Sequence, residues 1–420
     1  MDLLQANGAV SDYKINLLKK ESYELFYVKG RLETVRSTDT CDRQVTVYAD
    51  HDGFRGDGQF YVYPFDTEES LQAKIREALD NALLIRNAPY TLPAGETGEY
   101  TLDSNLGSEP MPQLAEKIGQ AVFAANTLEG GSLNSVEIFL NRYTGTVCNS
   151  RGLCKTQHYY TAMVEAIPTF NGSKESVELY EQYNFSNWDE DALIAEIAGK
   201  MQDVKARYEA VKPDFSLDCP VVLHKLELND LFSSLSYDLN YATVYSHSNL
   251  FKKGDRLQKH LQGDGITVTM KGAAPGSVAS ARFDGDGLAL GEITLVKDGL
   301  VENYYGSNRF GQYLGETPTG SLGCLCVGTG SASLEELAGK PWLEVISMSG
   351  LQVDFFNDYV GGEIRLACYH DGSRTLPVTG ISISGKLDSV LDHIRLSRST
   401  DVFDGYLGPD FAILQQLKIF

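Results

Sequence analysis

The stretch Ile293-Thr294-Leu295-Val296-Lys297-Asp298-Gly299-Leu300-Val301-Glu302-Asn303-Tyr304 reads as a β-hairpin. Two runs rich in strand-forming residues flank an Asp-Gly pair. Asp-Gly readily supplies the positive φ angles of a tight hairpin turn. The signature recurs at His370-Asp371-Gly372, between expected strands at 364–369 and 375–384. After a helix expected near 228–239, the second half is therefore mostly strand and turn.

Outward from there, the first half mixes periodicities. Alternation predicts strands over 23–29, 31–36, 44–50 and 58–63, with Gly53 and Gly56 punctuating the last connection. A helix fits 67–84, where Leu71, Ile75, Ala78, Leu79 and Ala82 share one face. A second fits 112–126, with Leu114, Ile118 and Val122 in line. Short strands follow at 136–142, 145–148 and 159–168. The clearest helix spans 189–211, striped by Leu193, Ile197, Met201, Val204, Tyr208 and Val211, and Pro213 stops it. The expected class is α+β: an N-terminal α/β domain (1–212) with an antiparallel sheet and packed helices, then a β-rich C-terminal domain (213–420).

The chain has 420 residues and a formal net charge of −21. That charge argues against nucleic acid as a partner, because phosphate binding wants a basic face. It serves solubility, or a weak attraction for basic peptides. Neither a basic, apolar leader nor a run of about 20 apolar residues is present, so a soluble cytoplasmic protein with no membrane partner is expected. Seven scattered cysteines read as reduced thiols. Cys324 and Cys326 fall on one face of a strand and suit small buried apolar positions.

Local motifs identify no active site. No two of the seven histidines lie within five positions of each other, so a zinc-binding helical His pair is absent. Asp284-Gly285-Asp286-Gly287 begins like a calcium loop, but Leu295 stands at position twelve, where a Glu is needed. It reads as a tight turn. The sequence has no Gly-x-Ser-x-Gly elbow and no phosphate loop with its Lys. A cysteine paired with a distant His, or a metal site assembled from distant residues, stays open.

Several stretches, in order, resemble the TldD/PmbA (TldE) family, also called modulators of DNA gyrase. They are Asn149-Ser150-Arg151-Gly152, Gly172 to Ser176, Arg282 to Gly287, Thr294 to Val301, Thr319-Gly320, Gly328 to Leu337, Gly361 to Ile364, and Pro377 to Lys386. The resemblance implies a heterodimeric zinc metalloprotease that trims unfolded peptides. Its TldD-type subunit carries a His-Glu-x-x-x-His helix, and its TldE-type subunit lacks it. Here Ser233, Ser234 and Asp238 stand where the His, Glu and His would be. This implies a TldE-like subunit with no catalytic or metal residues of its own, and with zinc only in a TldD-like partner. Ser307, Arg309, Thr319 and Gly320 are the expected peptide-groove positions. The partners implied are a TldD-like subunit or a second copy, and an unfolded peptide. Two alternatives remain: a self-associating peptide- or protein-binding module, and a hydrolase using a Cys or an assembled metal site.

Overall fold

The computed structural model describes residues 2–420. After a short helix α1 (Asp2–Gln5), three strands run antiparallel: β1 (Asp12–Val28), β2 (Arg31–His51) and β3 (Phe54–Tyr61). Two-residue turns join them. Lys29-Gly30 and Asp52-Gly53 both adopt positive φ, the geometry that matches the twist of paired strands. Next come helix α2 (Glu68–Ala82), strand β4 (Thr97–Thr101) and helix α3 (Met111–Ala124). The long strands β5 (Gly131–Asn149) and β6 (Cys154–Phe170) follow, then β7 (Val177–Glu178), β8 (Glu181–Phe185) and helix α4 (Glu190–Glu209). The sheet order is β3-β2-β1-β5-β6-β4, with β7 and β8 also on β6.

The helices sit where the hydrophobic stripes place them. Thr67 caps α2 and Asp189 caps α4 through side-chain acceptors. Ile75, Ala78, Leu79 and Ala82 of α2 close a small core with Val45 and Val47 of β2. Leu114, Ile118 and Val122 of α3 and Leu193, Ile197 and Met201 of α4 close a second core over β1, β5 and β6. The expected stripe of α4 ends early: Tyr208 is half-buried and Val211, beyond the helix, is exposed.

Strand lengths depart from expectation. The segments 31–36 and 44–50 belong to one 21-residue strand, 136–142 and 145–148 belong to one 19-residue strand, and β1 starts at Asp12 rather than near residue 23. The first half of β2 is exposed along nearly its whole length. The part left out of the expected strands, 37–43, is polar and carries no apolar alternation, so hydrophobic period cannot find it; the ladder with β1 holds it instead. The β5–β6 ladder corrects the thiol reading in one place. Cys148 and Cys154 face each other across the β5–β6 turn and form a disulfide. Antiparallel register brings them together, which their spacing alone does not disclose. The other five cysteines are free.

The second half is built from two sheets. One contains, in order, Leu300–Val301, Glu292–Lys297, Val268–Lys271, Cys324–Val327, Tyr406–Pro409 and Thr400–Phe403. The other is nine-stranded and runs through Val221–His224, Trp342–Met348, Tyr359–His370 and Ile381–Gly385. The expected hairpin is present: Asp298 and Gly299 take φ of 47° and 74° between Glu292–Lys297 and Leu300–Val301. Helix α5 (Lys225–Asp238) lies in a single large core shared by both sheets. Leu228, Leu231, Phe232 and Leu235 recur at helical spacing and meet Val268, Met270 and Leu325 from one sheet and Leu343, Val345 and Ile364 from the other. The whole is mixed α+β.

Candidate functional site

Helix α5 carries the three positions singled out in the sequence. Ser233 donates from Oγ to Asn229 Oδ1 at 3.2 Å, and Ser234 donates to the Asp230 carbonyl at 2.9 Å. Both hydroxyls are spent on their own helix, one turn back. Asp238 is buried, and its two oxygens accept the backbone N–H groups of Leu250 and Phe251 at 2.7 and 3.0 Å. This carboxylate therefore ties the end of α5 to the loop beyond the next short helix, Tyr241–Tyr245. Two neutral hydroxyls and a carboxylate already committed to amides do not fit a zinc ion, which takes imidazole, thiolate or free carboxylate. Among the described residues, no group of three or more His, Cys, Asp or Glu side chains is placed to hold a metal ion.

The start of α5 is more highly charged. His224 meets Glu344 Oε1 at 3.1 Å, and His370 meets Glu344 Oε2 at 3.3 Å. His370 also stacks on Trp342, with ring centroids 3.9 Å apart. Burial raises the Glu344 carboxyl, but the hydrogen bonds and charges of the two imidazoles outweigh it and bring it below its ordinary value. Glu227, in the first turn of α5, is 4 % exposed. Burial pushes its carboxyl up to about 7, against a weaker lowering by its own backbone N–H and by His224.

The four expected groove positions divide. Ser307 starts the short helix Asn308–Leu314, and the neighbouring Gly306 N–H donates to Thr319 Oγ1 at 2.9 Å. Ser307 and Thr319 are thus brought to one loop junction, with Gly320 beside them at a φ of 78°. Arg309 points elsewhere. Its guanidinium donates to Asn87 Oδ1 at 2.6 Å and lies over the rings of Tyr90 and Tyr313. It fastens this helix to the first half of the chain.

The two halves also meet along the middle of the long sheet. Asp284 accepts the N–H groups of Asp286, Leu288 and Ser321, which makes 284–287 the tight turn expected from sequence. Lys14 pairs with Asp286, and Asn16 donates to the Gly285 carbonyl. Lys155, only 1 % exposed, donates to the Gly287 carbonyl and pairs with Glu96. Gln157 accepts the Arg282 N–H at 2.8 Å and donates to the Phe283 carbonyl at 3.4 Å, so its amide reads this backbone as a strand would. Two clefts flank the seam and share Tyr159. One, of about 200 Å³, is lined from both halves by residues that include Tyr160, Val278 and Arg282. The other, of about 380 Å³, lies over Asn16, Gly145 and Phe283. Sequence reading missed Lys155, Gln157 and Tyr159. They lie more than a hundred residues from the turn they meet, and no local pattern marks them.

Residues 216–419 match the PmbA/TldA metallopeptidase C-terminal domain. The chain is 24% identical over 358 residues to the metalloprotease PmbA homolog of Haemophilus influenzae, covering 78% of this chain and 76% of that protein. Its fold superposes on TldE from Thermococcus kodakarensis with a TM-score of 0.80 at 15% identity, covering 98% of this chain and 97% of the other. A candidate modulator of DNA gyrase from Thermotoga maritima superposes with a TM-score of 0.74 at 14% identity, covering 97% and 96%. No helix among the described residues is long and apolar enough to cross a membrane. The C-terminal half of the chain thus matches a PmbA/TldA metallopeptidase domain, and the fold of the chain is that of TldE.

Proposed function

We propose that this chain is the non-catalytic subunit of a TldD/TldE-type heterodimer that trims unfolded peptides. The observation that supports this most is the state of α5. At the three positions aligned with the zinc motif, every side-chain oxygen is held by a structural hydrogen bond, and none of the three is an imidazole. In this reading zinc belongs to a TldD-like partner, where it would activate water and polarise the scissile carbonyl. This chain contributes walls to the chamber and a surface for an extended peptide, from the seam between its halves and from the Gly306–Gly320 loop junction. The work is done in the cytoplasm, without nucleic acid or membrane.

A second reading, a self-associating binding module, is favoured by one feature. From Arg31 to Asp42 strand β2 has no neighbour on its outer side, and its Leu32 and Val35 are 49 and 47% exposed. Such an edge invites another chain.

The test is to purify the protein and measure zinc content and cleavage of an unstructured peptide, alone and mixed with the TldD-like subunit of the same source. The expected outcome is no stoichiometric zinc and no cleavage alone, with a co-eluting, active complex in the mixture. Cleavage with bound zinc by this chain alone would overturn the proposal. A stable homodimer that ignores the TldD-like subunit would favour the second reading.

A further inference from the structure

The smaller of the two clefts has a chemistry that the subunit role does not require. Its walls come from both halves of the chain. Leu102, Tyr159 and Tyr160 face Ala274, Pro275 and Val278, which makes most of the lining apolar. The C-terminal wall is two consecutive β-turns. The Ser277 N–H closes the first on the Ala274 carbonyl, with Pro275 and Gly276 (φ 76°) at its corners, and the Ser280 N–H closes the second on the Ser277 carbonyl. Ser277 is fully buried and locks the pair by donating to the Asp404 carbonyl. The wall is therefore preformed rather than a loose loop.

Three donors in this lining have no acceptor among the described residues: the Gly276 N–H, the Val278 N–H and the Arg282 guanidinium. The Arg282 main chain is held by Gln157, so the base of that side chain is fixed while its charge is left free. On a chain of net charge −21, an anion needs a local reason to bind, and this cluster supplies one. About 200 Å³ holds one large apolar side chain with its adjoining main chain, so a chain end suits it better than a strand running through.

We propose that this cleft is a subsite for the C-terminal residue of an extended peptide. The apolar side chain lies among Tyr159, Tyr160 and Val278. The terminal carboxylate meets Arg282 and the amides of the double turn, a recurring way of capturing a chain end. Asp103, the opposite charge in the lining, accepts a main-chain N–H further up the peptide. The subsite rests on the peptide-holding role proposed above, and gives that role a direction: the chain end is anchored here and the segment before it is presented.

The experiment is a fluorescence anisotropy titration of the full chain with a peptide labelled at its N-terminus. The peptide is an unstructured heptamer ending in Leu, as free acid and as amide. The same pair is titrated against Arg282→Gln and Ala273→Trp, two exposed positions in the lining whose replacement leaves the core alone. The free acid is expected to bind roughly ten-fold more tightly than the amide, as a charge-assisted contact implies. In Arg282→Gln that difference disappears, and in Ala273→Trp both affinities fall. Acid and amide binding alike would overturn the carboxylate assignment. Binding unchanged by Ala273→Trp would place the peptide elsewhere, which sinks the subsite and leaves the peptide-holding role standing. An absence of saturable binding for every peptide would remove both.

Discussion

The two halves of the molecule are stabilised in different ways. In the C-terminal half, one continuous core surrounds α5, which contributes four fully buried apolar residues, Leu228, Leu231, Phe232 and Leu235. In the N-terminal half, strands of 17 to 21 residues run between two separate small cores, one under α2 and one under α3 and α4. The stretch between those cores is polar. It is covered on part of one face by the 282–287 turn of the other half and is otherwise open. Burial carries the C-terminal half, while ladder hydrogen bonds and specific polar contacts carry the middle of the ribbon. A substitution should therefore cost much more in the first setting than in the second.

Phe232→Ala tests the core side of this contrast. The ring is 1% exposed between the two sheets, and its loss should cost about 3–5 kcal/mol. Leu32→Ala on the ribbon, where Leu32 is 49% exposed, should cost less than about 0.5 kcal/mol in an isolated subunit. Urea unfolding of both variants measures the pair. Equal costs would show that the ribbon is buried in solution, by a second copy.

Glu227 sharpens the comparison through pH. Its carboxyl rises from an ordinary 4.5 to about 7 because it is buried, so folding favours the neutral acid. The stabilisation is complete below about pH 4.5 and is lost as the pH rises through 7. The full swing is at most roughly 3 kcal/mol. His224, Lys200 and Asp230 surround it and set how much of that swing appears. Glu227→Gln stays neutral throughout. Urea midpoints at pH 5 and pH 8 should differ less in the variant than in the parent protein, and an equal difference would refute the assignment.

Asp238→Ala is a smaller change within the same core. It leaves the Leu250 and Phe251 amides without their acceptor, at a cost of about 2 kcal/mol. Faster hydrogen exchange at those two amides, with the rest of the chain unchanged, is the accompanying signature. If instead Asp238 served a ligand rather than the fold, stability would hold and exchange there would not move.

These regions were legible in the sequence to different degrees. The helices α2, α3 and α4 and the Asp298-Gly299 hairpin follow from apolar period and turn chemistry alone, since each buries one face or needs one special backbone geometry. The resemblance to the TldD/PmbA family follows from short stretches spread along the chain. The full reach of β1, β2 and β5 does not, because a strand wet on both faces has no pattern to read. Nor does the use of Ser233, Ser234 and Asp238 as local anchors, or of Arg309 as a clamp onto Asn87, because the partners of a polar side chain are set by packing.

The sequence by itself determined where the elements bury their apolar faces, and that α5 lacks the imidazoles of a zinc motif. Both are properties of residue type and spacing. Only the tertiary structure decided that Lys155 and Gln157 grip the 282–287 turn, that Cys148 meets Cys154, and that unpaired donors gather beside an apolar cleft. These depend on strand register and on how the two halves approach one another, and neither is written in any local run of residues.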